Sequence, residues 1–484
     1  MGKKEEIIAR MAELGISEND IFKEIVRARY LDYVIFSKRE NEEFGLSPSE
    51  FREKAAALTA EEFGPVPEDP ERFAYIYTAA MSVDPMLFAE GLAPLSPAFR
   101  AVLFHAVEMA ARAEKTVLFA GAERYLPFLT DIFVNLRNKR IALTVADDAW
   151  RHTAQRIYAR GRVMAPSEVV GDTERYDYIF FAGAADESAE RELTSLRAHL
   201  REGGEMEFLL PREWFTRRPV LSELAASMCV ASFCHVTDGE AESEYIRLGG
   251  ADPAGDIAFG EADFAGGIFR FAQNLSMKRT DFAAAENWDY DLYAYNGHAG
   301  LQAILGAGLL DLDFAVGSVF KEVPRLRGTK GIYPLISEKV VESSGIRGEF
   351  VKEEETEDIC RVAAGDLLVA ATEDGFSAAV VSEDRDGAAV ASGMFAFRPI
   401  GEYTAEYLKA YLDGPIGKMF LETMRTGRTW HLCHARLLRI PLRHATTERI
   451  EAITGAVRET TKQLAAAEEA WREVLRDSVK LMMG

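Results

Sequence analysis

The sequence is short of everything that would anchor it in a membrane, staple it with disulfides or coat it with positive charge. Its longest apolar runs, such as residues 179–185, fall far below the roughly 20 residues a membrane-crossing helix needs. The opening Met-Gly-Lys-Lys-Glu-Glu passes straight into an amphipathic pattern, without the roughly 7–15 residue apolar block of a secretory signal, so a cytoplasmic protein is expected. Only 4 cysteines occur in 484 residues, and the Cys229-x4-Cys234 pair has no second half at metal-ligand spacing. His431, Cys433 and His434 offer too few ligands for zinc, so reduced thiols and no metal are expected. Lysine and arginine number 56 against 78 acidic residues, a net charge of −22 that excludes coating nucleic acid with the whole surface. The deficit is uneven: residues 1–270 hold 31 basic and 46 acidic side chains (−15), residues 271–484 hold 25 and 32 (−7). Finally, no Pro-Pro dipeptide occurs anywhere.

What is present is a globular composition, 48% hydrophobic and 10% aromatic, long enough for about three folded units. Residues 1–65 alternate helix-start signals with helical spacing. Ser17 precedes Ile21, Ile25, Val26 and Leu31, and Ser47-Pro48-Ser49-Glu50 has capping-box order with proline at the first helical position. Three prolines within Gly64-Pro-Val-Pro-Glu-Asp-Pro close this helical unit. From residue 66 to 275 short β-rich runs (116–121, 140–146, 176–182, 205–210, 230–235 and 245–248) alternate with helical segments of crossover length, which predicts a doubly wound, Rossmann-type α/β sheet. Residues 276–445 read as an α+β module. Residues 446–484 read as one long helix with Ile450, Ile453, Val457, Thr460, Leu464, Ala467, Trp471 and Val474 at heptad spacing, a coiled-coil seam.

The order of the sheet elements resembles the S-adenosylmethionine-dependent methyltransferase domain of N6-adenine DNA methylases. Val117–Gly121 stands for the first strand and its turn, Val145-Ala-Asp147-Asp148 for the second strand with its acidic end, and Leu200-Arg-Glu-Gly-Gly204 through Pro211 for the family's Gly-Gly strand element. The resemblance implies that Gly121, Asp147 and Ala182 mark the cofactor crevice. It also implies an Asn/Asp-Pro-Pro-Tyr/Phe element at the end of the strand Asp177-Tyr-Ile-Phe-Phe, to hold and stack a flipped-out base. Here that strand ends Ala182-Gly183-Ala184, and Phe119-Ala-Gly121-Ala-Glu-Arg124 supplies a single glycine to the cofactor loop. A domain that has lost catalysis is therefore expected, with no catalytic residues and no cofactor, S-adenosylmethionine being required only if the domain is active.

The C-terminal half is similar to the target-recognition domains of type I restriction-modification specificity subunits. Trp288-Asp-Tyr-Asp-Leu-Tyr293 stands where that family has Trp-x-Pro-x-Tyr-Tyr, residues 310–330 where it has a helix and loop, Ile332–Ile336 and Gly365-Asp366-Leu-Leu where it has strands, and Tyr407-Leu-x-x-Tyr411 where it has a helix. Independently, Thr423–Thr447 contains no acid but carries Arg425, Arg428, Trp430, His431, Arg436, Arg439 and Arg443, a composition suited to phosphate or guanine contacts. Arg325, Arg327 and Lys330 form a second basic group, expected on a loop.

The function expected is sequence-specific binding of duplex DNA by a restriction-modification type polypeptide with a degenerate methyltransferase domain. The alternatives are a working adenine-N6 DNA methyltransferase with an atypical catalytic motif, and a protein–protein scaffold. Restriction-modification subunits, or self-association through residues 446–478, are the further partners expected.

Overall fold

The computed structural model describes residues 3–37, 47–182, 187–216, 230–238, 241–249, 256–279, 282, 288–327, 332–336, 341–342, 345–346, 351–354, 358–372, 375–391, 394–426, 429–430 and 434–483. Its contacts divide the chain into two compact units, Met1–Trp288 and Asp289–Gly484. The N-terminal helices belong to the first unit, whose main core includes Val26 and Phe63 beside the strand residues.

Two serines cap their helices and a third does not. Ser47 and Glu50 form the capping box ahead of Pro48–Phe63, and Ser96 accepts from Phe99 N–H at the start of Pro97–Arg112. Ser17 stands at the N-cap of Glu18–Leu31, but its hydroxyl donates to Asp20 instead of capping the backbone.

The first unit is built on a nine-stranded sheet: β1 Thr116–Ala120, β2 Arg140–Thr144, β3 Arg162–Met164, β4 Tyr176–Phe181, β5 Leu200–Pro211, β6 Val230–Asp238, β7 Ala241–Leu248, β8 Ile257–Asp263 and β9 Arg270–Met277. The order across it is 3-2-1-4-5-7-6-8-9. The first five strands are parallel, and β7 runs antiparallel between β5 and β6. Covered on both faces, β1 has all five residues buried, which is why Thr-Val-Leu-Phe-Ala shows no alternation. Phe119 and Phe180 are fully buried, each contributing roughly 1.5–3 kcal/mol by area removed from water. β3, β8 and β9 were not legible in the sequence. β3 is only three residues long, and β8 and β9 carry glycine or polar residues in their interiors.

The second unit holds an antiparallel four-stranded sheet in the order Phe320–Glu322, Met394–Pro399, Leu367–Thr372, Gly375–Val380. It also has a five-stranded sheet containing Arg325–Arg327, Ile332–Ile336 and Asp358–Arg361, helices Ala405–Asp413 and Pro415–Thr423, and the 37-residue helix Thr447–Met483. The helix expected within residues 310–330 is replaced by the strands Asp311–Ala315, Phe320–Glu322 and Arg325–Arg327. Alternating polar and apolar residue types along Asp-Leu-Asp-Phe and the β-branched Val319 and Val323 suit those residues to short strands. Among the described residues no helix is long and apolar enough to cross a membrane.

Candidate functional site

In an open α/β sheet, ligands bind beyond the carboxyl ends of the strands where the strand order reverses. Here that point lies between β1 and β4, and it is where Gly121, Thr144, Asp147 and Ala182 gather. Gly121 takes a left-handed backbone (φ 68°), so the turn needs glycine. Its N–H, which would face a ligand, instead donates to the Thr144 hydroxyl at 2.9 Å, and that hydroxyl donates to Glu192 at 3.1 Å. The Ala120 carbonyl accepts from the fully buried Tyr125 hydroxyl at 3.0 Å and from Ala182 N–H at 3.1 Å. Burial pushes the Tyr125 phenol well above its ordinary pKa, so this hydrogen stays in place. Glu123 accepts from Ala146 N–H at 3.3 Å. Asp147 is exposed, and its carboxylate caps its own helix, Asp148–Ile157, by accepting from Trp150 N–H at 2.8 Å. The three residues marked by the sequence do meet at this edge, but their polar neighbours are already satisfied by the chain itself. Thr144, Glu123 and Glu192, which do this, carried no motif; only tertiary proximity joins them. Gly183 and Ala184 lie outside the described residues.

The acid-free segment is a different matter. Arg436 is not on a surface: its guanidinium is fully buried, donates to Asp291 Oδ1 from Nε (3.3 Å) and Nη2 (3.1 Å), and lies over the Tyr290 ring. Arg439 is only 35% exposed and donates to the other oxygen, Asp291 Oδ2, at 3.3–3.4 Å. The expectation that Arg436 reads DNA is therefore corrected, and Arg439 is engaged in the same way. A stretch without acids in sequence is not without them in space, because Asp291 comes from 145 residues earlier. His434 is likewise buried, 3.2 Å from Glu322.

Of the remaining basic residues, Arg425 is exposed at the start of the short strand Arg425–Thr426, and Trp430 ends its partner, Thr429–Trp430. Arg325 is not on a loop. It opens the strand Arg325–Arg327, which pairs with Asp358–Arg361, and its side chain donates to the Met394 carbonyl at 3.4 Å. Arg327 ends that strand. Lys330, Arg428 and His431 lie outside the described residues. Cys234 and Cys360 are free, buried thiols.

The resemblance to a recognition domain also divides at its first element. Trp288 closes the first unit, packed among Phe215, Phe233 and Phe282, whereas Tyr290, Asp291 and Tyr293 open the second. The long helix uses the first part of its apolar stripe internally. Ile450 and Thr454 are buried, Thr454 shares a hydrogen bond with Thr404, and Arg458 pairs with Glu406 of Ala405–Asp413. Its second half leaves Leu464, Trp471, Val474 and Leu475 exposed, so the heptad stripe is a free seam only there.

No known family model matches the chain, and no curated protein matches it. Among solved structures, a ribosomal protein L11 methylase from Lactobacillus delbrueckii subsp. bulgaricus is 15% identical over 31% of this chain and 77% of its own, with a TM-score of 0.25. A TehB-like SAM-dependent methyltransferase from Corynebacterium glutamicum is 14% identical over 37% and 96%, also with a TM-score of 0.25. A putative precorrin-6Y C5,15-methyltransferase domain from Corynebacterium diphtheriae is 14% identical over 32% and 98%, with a TM-score of 0.24. Likeness at this level says nothing about activity.

Proposed function

We propose that the chain is a non-catalytic binding protein that keeps a methyltransferase-like sheet without the means to hold an adenosyl cofactor, and that its second unit engages duplex DNA. The observation that carries the first half is the closed set of hydrogen bonds at the switch point, where Gly121 N–H, Thr144, Ala120 and Ala146 are all satisfied from within. A cofactor entering there would have to displace those partners, and each buried group left without one costs about 1–3 kcal/mol. The test is thermal unfolding with S-adenosylhomocysteine. A bound ligand at 100 times its Kd stabilises by about 2.7 kcal/mol, so a saturable rise in Tm overturns this reading in favour of a working adenine methylase, and an unchanged Tm supports it.

DNA binding rests on fewer arginines than the sequence offered. What supports it is the exposure of Arg425 and Arg443, together with a second half less acidic than the first. Anisotropy of a labelled duplex at about 50 mM salt should show binding that weakens steeply with added salt. Arg425→Ala with Arg443→Ala should weaken it several-fold, and no binding at low salt rejects it. The exposed Leu464, Trp471, Val474 and Leu475 favour a second reading, a scaffold that meets a protein partner or another copy through the long helix.

A further inference from the structure

The first unit contains a cavity of about 330 Å³ beside the entry to β2, the opposite strand end from the switch point. Four cations line it: Arg29 from the helix Glu18–Leu31, Arg137 and Lys139 from the segment leading into β2, and Arg160 from beyond the helix Asp148–Ile157. Asp32 is the single acid in the lining, so the cavity has a formal charge of +3 in a chain of −22. Such a concentration of one sign in a walled space focuses potential on whatever enters.

The cations are not all consumed by the fold. Lys139 donates to the Ala113 and Glu114 carbonyls, and Arg160 stands 4.0 Å from Asp32 with 64% of its side chain exposed. Arg29 donates to the Val83 carbonyl through Nη2, but its buried Nε has no hydrogen-bond partner. Arg137 is exposed and makes no ion pair among the described residues. Guanidinium groups with unused donors match the oxygens of a phosphomonoester.

The rest of the lining is mostly apolar. Phe133 and Tyr158 stack face to face, ring centroids 4.6 Å apart and 7° from parallel, with Val134 and Ile157 alongside. The Tyr158 and Thr130 hydroxyls share a 2.8 Å hydrogen bond in the same wall. Cations, two hydroxyl-bearing side chains and an aromatic pair in one lining are the few placed polar groups on a largely apolar surface that small-molecule sites have.

The geometry points to this cavity as a binding site for a small organic phosphomonoester with a planar body, the chemistry shared by a nucleoside monophosphate and an aryl phosphate. The site is independent of the closed switch-point edge and of the DNA-binding reading. Calorimetric titration of the full chain with adenosine monophosphate, phenyl phosphate, adenosine and inorganic phosphate tests it. Binding of either ester, stronger than that of adenosine or inorganic phosphate and weakened at least about tenfold by Arg137→Glu with Arg160→Glu, is the expected result. Phenyl phosphate binding without adenosine monophosphate assigns the aryl ester. Because both arginines are exposed, the double variant should keep its Tm, and Val134→Asp, at a 61% exposed position on the apolar side, gives a second charge-repulsion variant. No binding of either ester at about 1 mM, equal affinity in the variants, or inorganic phosphate binding as tightly as the esters overturns the assignment.

Discussion

Replacing Glu207 with glutamine should make the first unit's stability much less sensitive to pH. Glu207 sits in β5, fully buried, and its Oε2 accepts the Tyr178 hydroxyl at 2.5 Å and the Tyr245 hydroxyl. Its Oε1 has no hydrogen-bond partner, the nearest cation being Arg247 Nε at 3.8 Å. Burial disfavours the charged form, and although the two tyrosines and Arg247 pull the other way, the carboxyl is pushed up from 4.5 to about 7. The folded chain therefore holds a proton that the unfolded chain releases, and stability present below pH 4.5 is lost as pH rises through about 7. At about 1.4 kcal/mol per pH unit, the window from 4.5 to about 7 amounts to about 3 kcal/mol. Glutamine can accept both tyrosine hydroxyls and never ionises. The Glu207→Gln chain should thus match the wild type within about 1 kcal/mol at pH 5 and exceed it by about 2 kcal/mol at pH 8.5. In urea, followed by tryptophan fluorescence, an m-value of about 3 kcal/mol/M makes that a midpoint higher by roughly 0.7 M. A variant whose midpoint declines with pH in parallel with the wild type would refute the reasoning.

Other consequences can be checked with the same assays. Asp84, half-buried at the N-cap of Pro85–Phe88 and bonded to Tyr158, is pushed up by desolvation to about 7; Asp84→Asn keeps the cap and should raise the midpoint at pH 8.5 but not at pH 5, additively with Glu207→Gln. Arg436→Ala removes the fully buried guanidinium from the buried Asp291 carboxylate and should cost about 3 kcal/mol or more in unfolding, so a loss of DNA binding in this variant counts only if circular dichroism shows it folded. Trp471→Glu, at a position 61% exposed, should leave the melting temperature unchanged while lowering any association seen by sedimentation velocity; equal sedimentation of the two chains rejects a self-interface there.

How far the sequence could be read depended on the range of the interaction involved. Local chemistry was legible: the Ser47–Glu50 capping box with Pro48 at the first helical position, and the parallel strands whose unbroken apolar runs reflect burial on both faces. The long C-terminal helix was legible for the same reason, since a stripe repeated along one element needs no partner to be seen. Charge was the least legible, because it is settled by whichever residue arrives from elsewhere. Thr423–Thr447 looked like a cationic surface until Asp291 entered between Arg436 and Arg439. The basic cavity at Arg29, Arg137 and Arg160 could not be seen at all, since Arg29 stands more than a hundred residues before the other two and none of them is in a motif. By itself, then, the sequence determined the doubly wound sheet and the helical ends, all properties of neighbours along the chain. Only tertiary structure decided which arginines face water, which polar groups seal the switch point and where positive charge collects, because electrostatic partnership is a matter of distance in space and not of distance along the backbone.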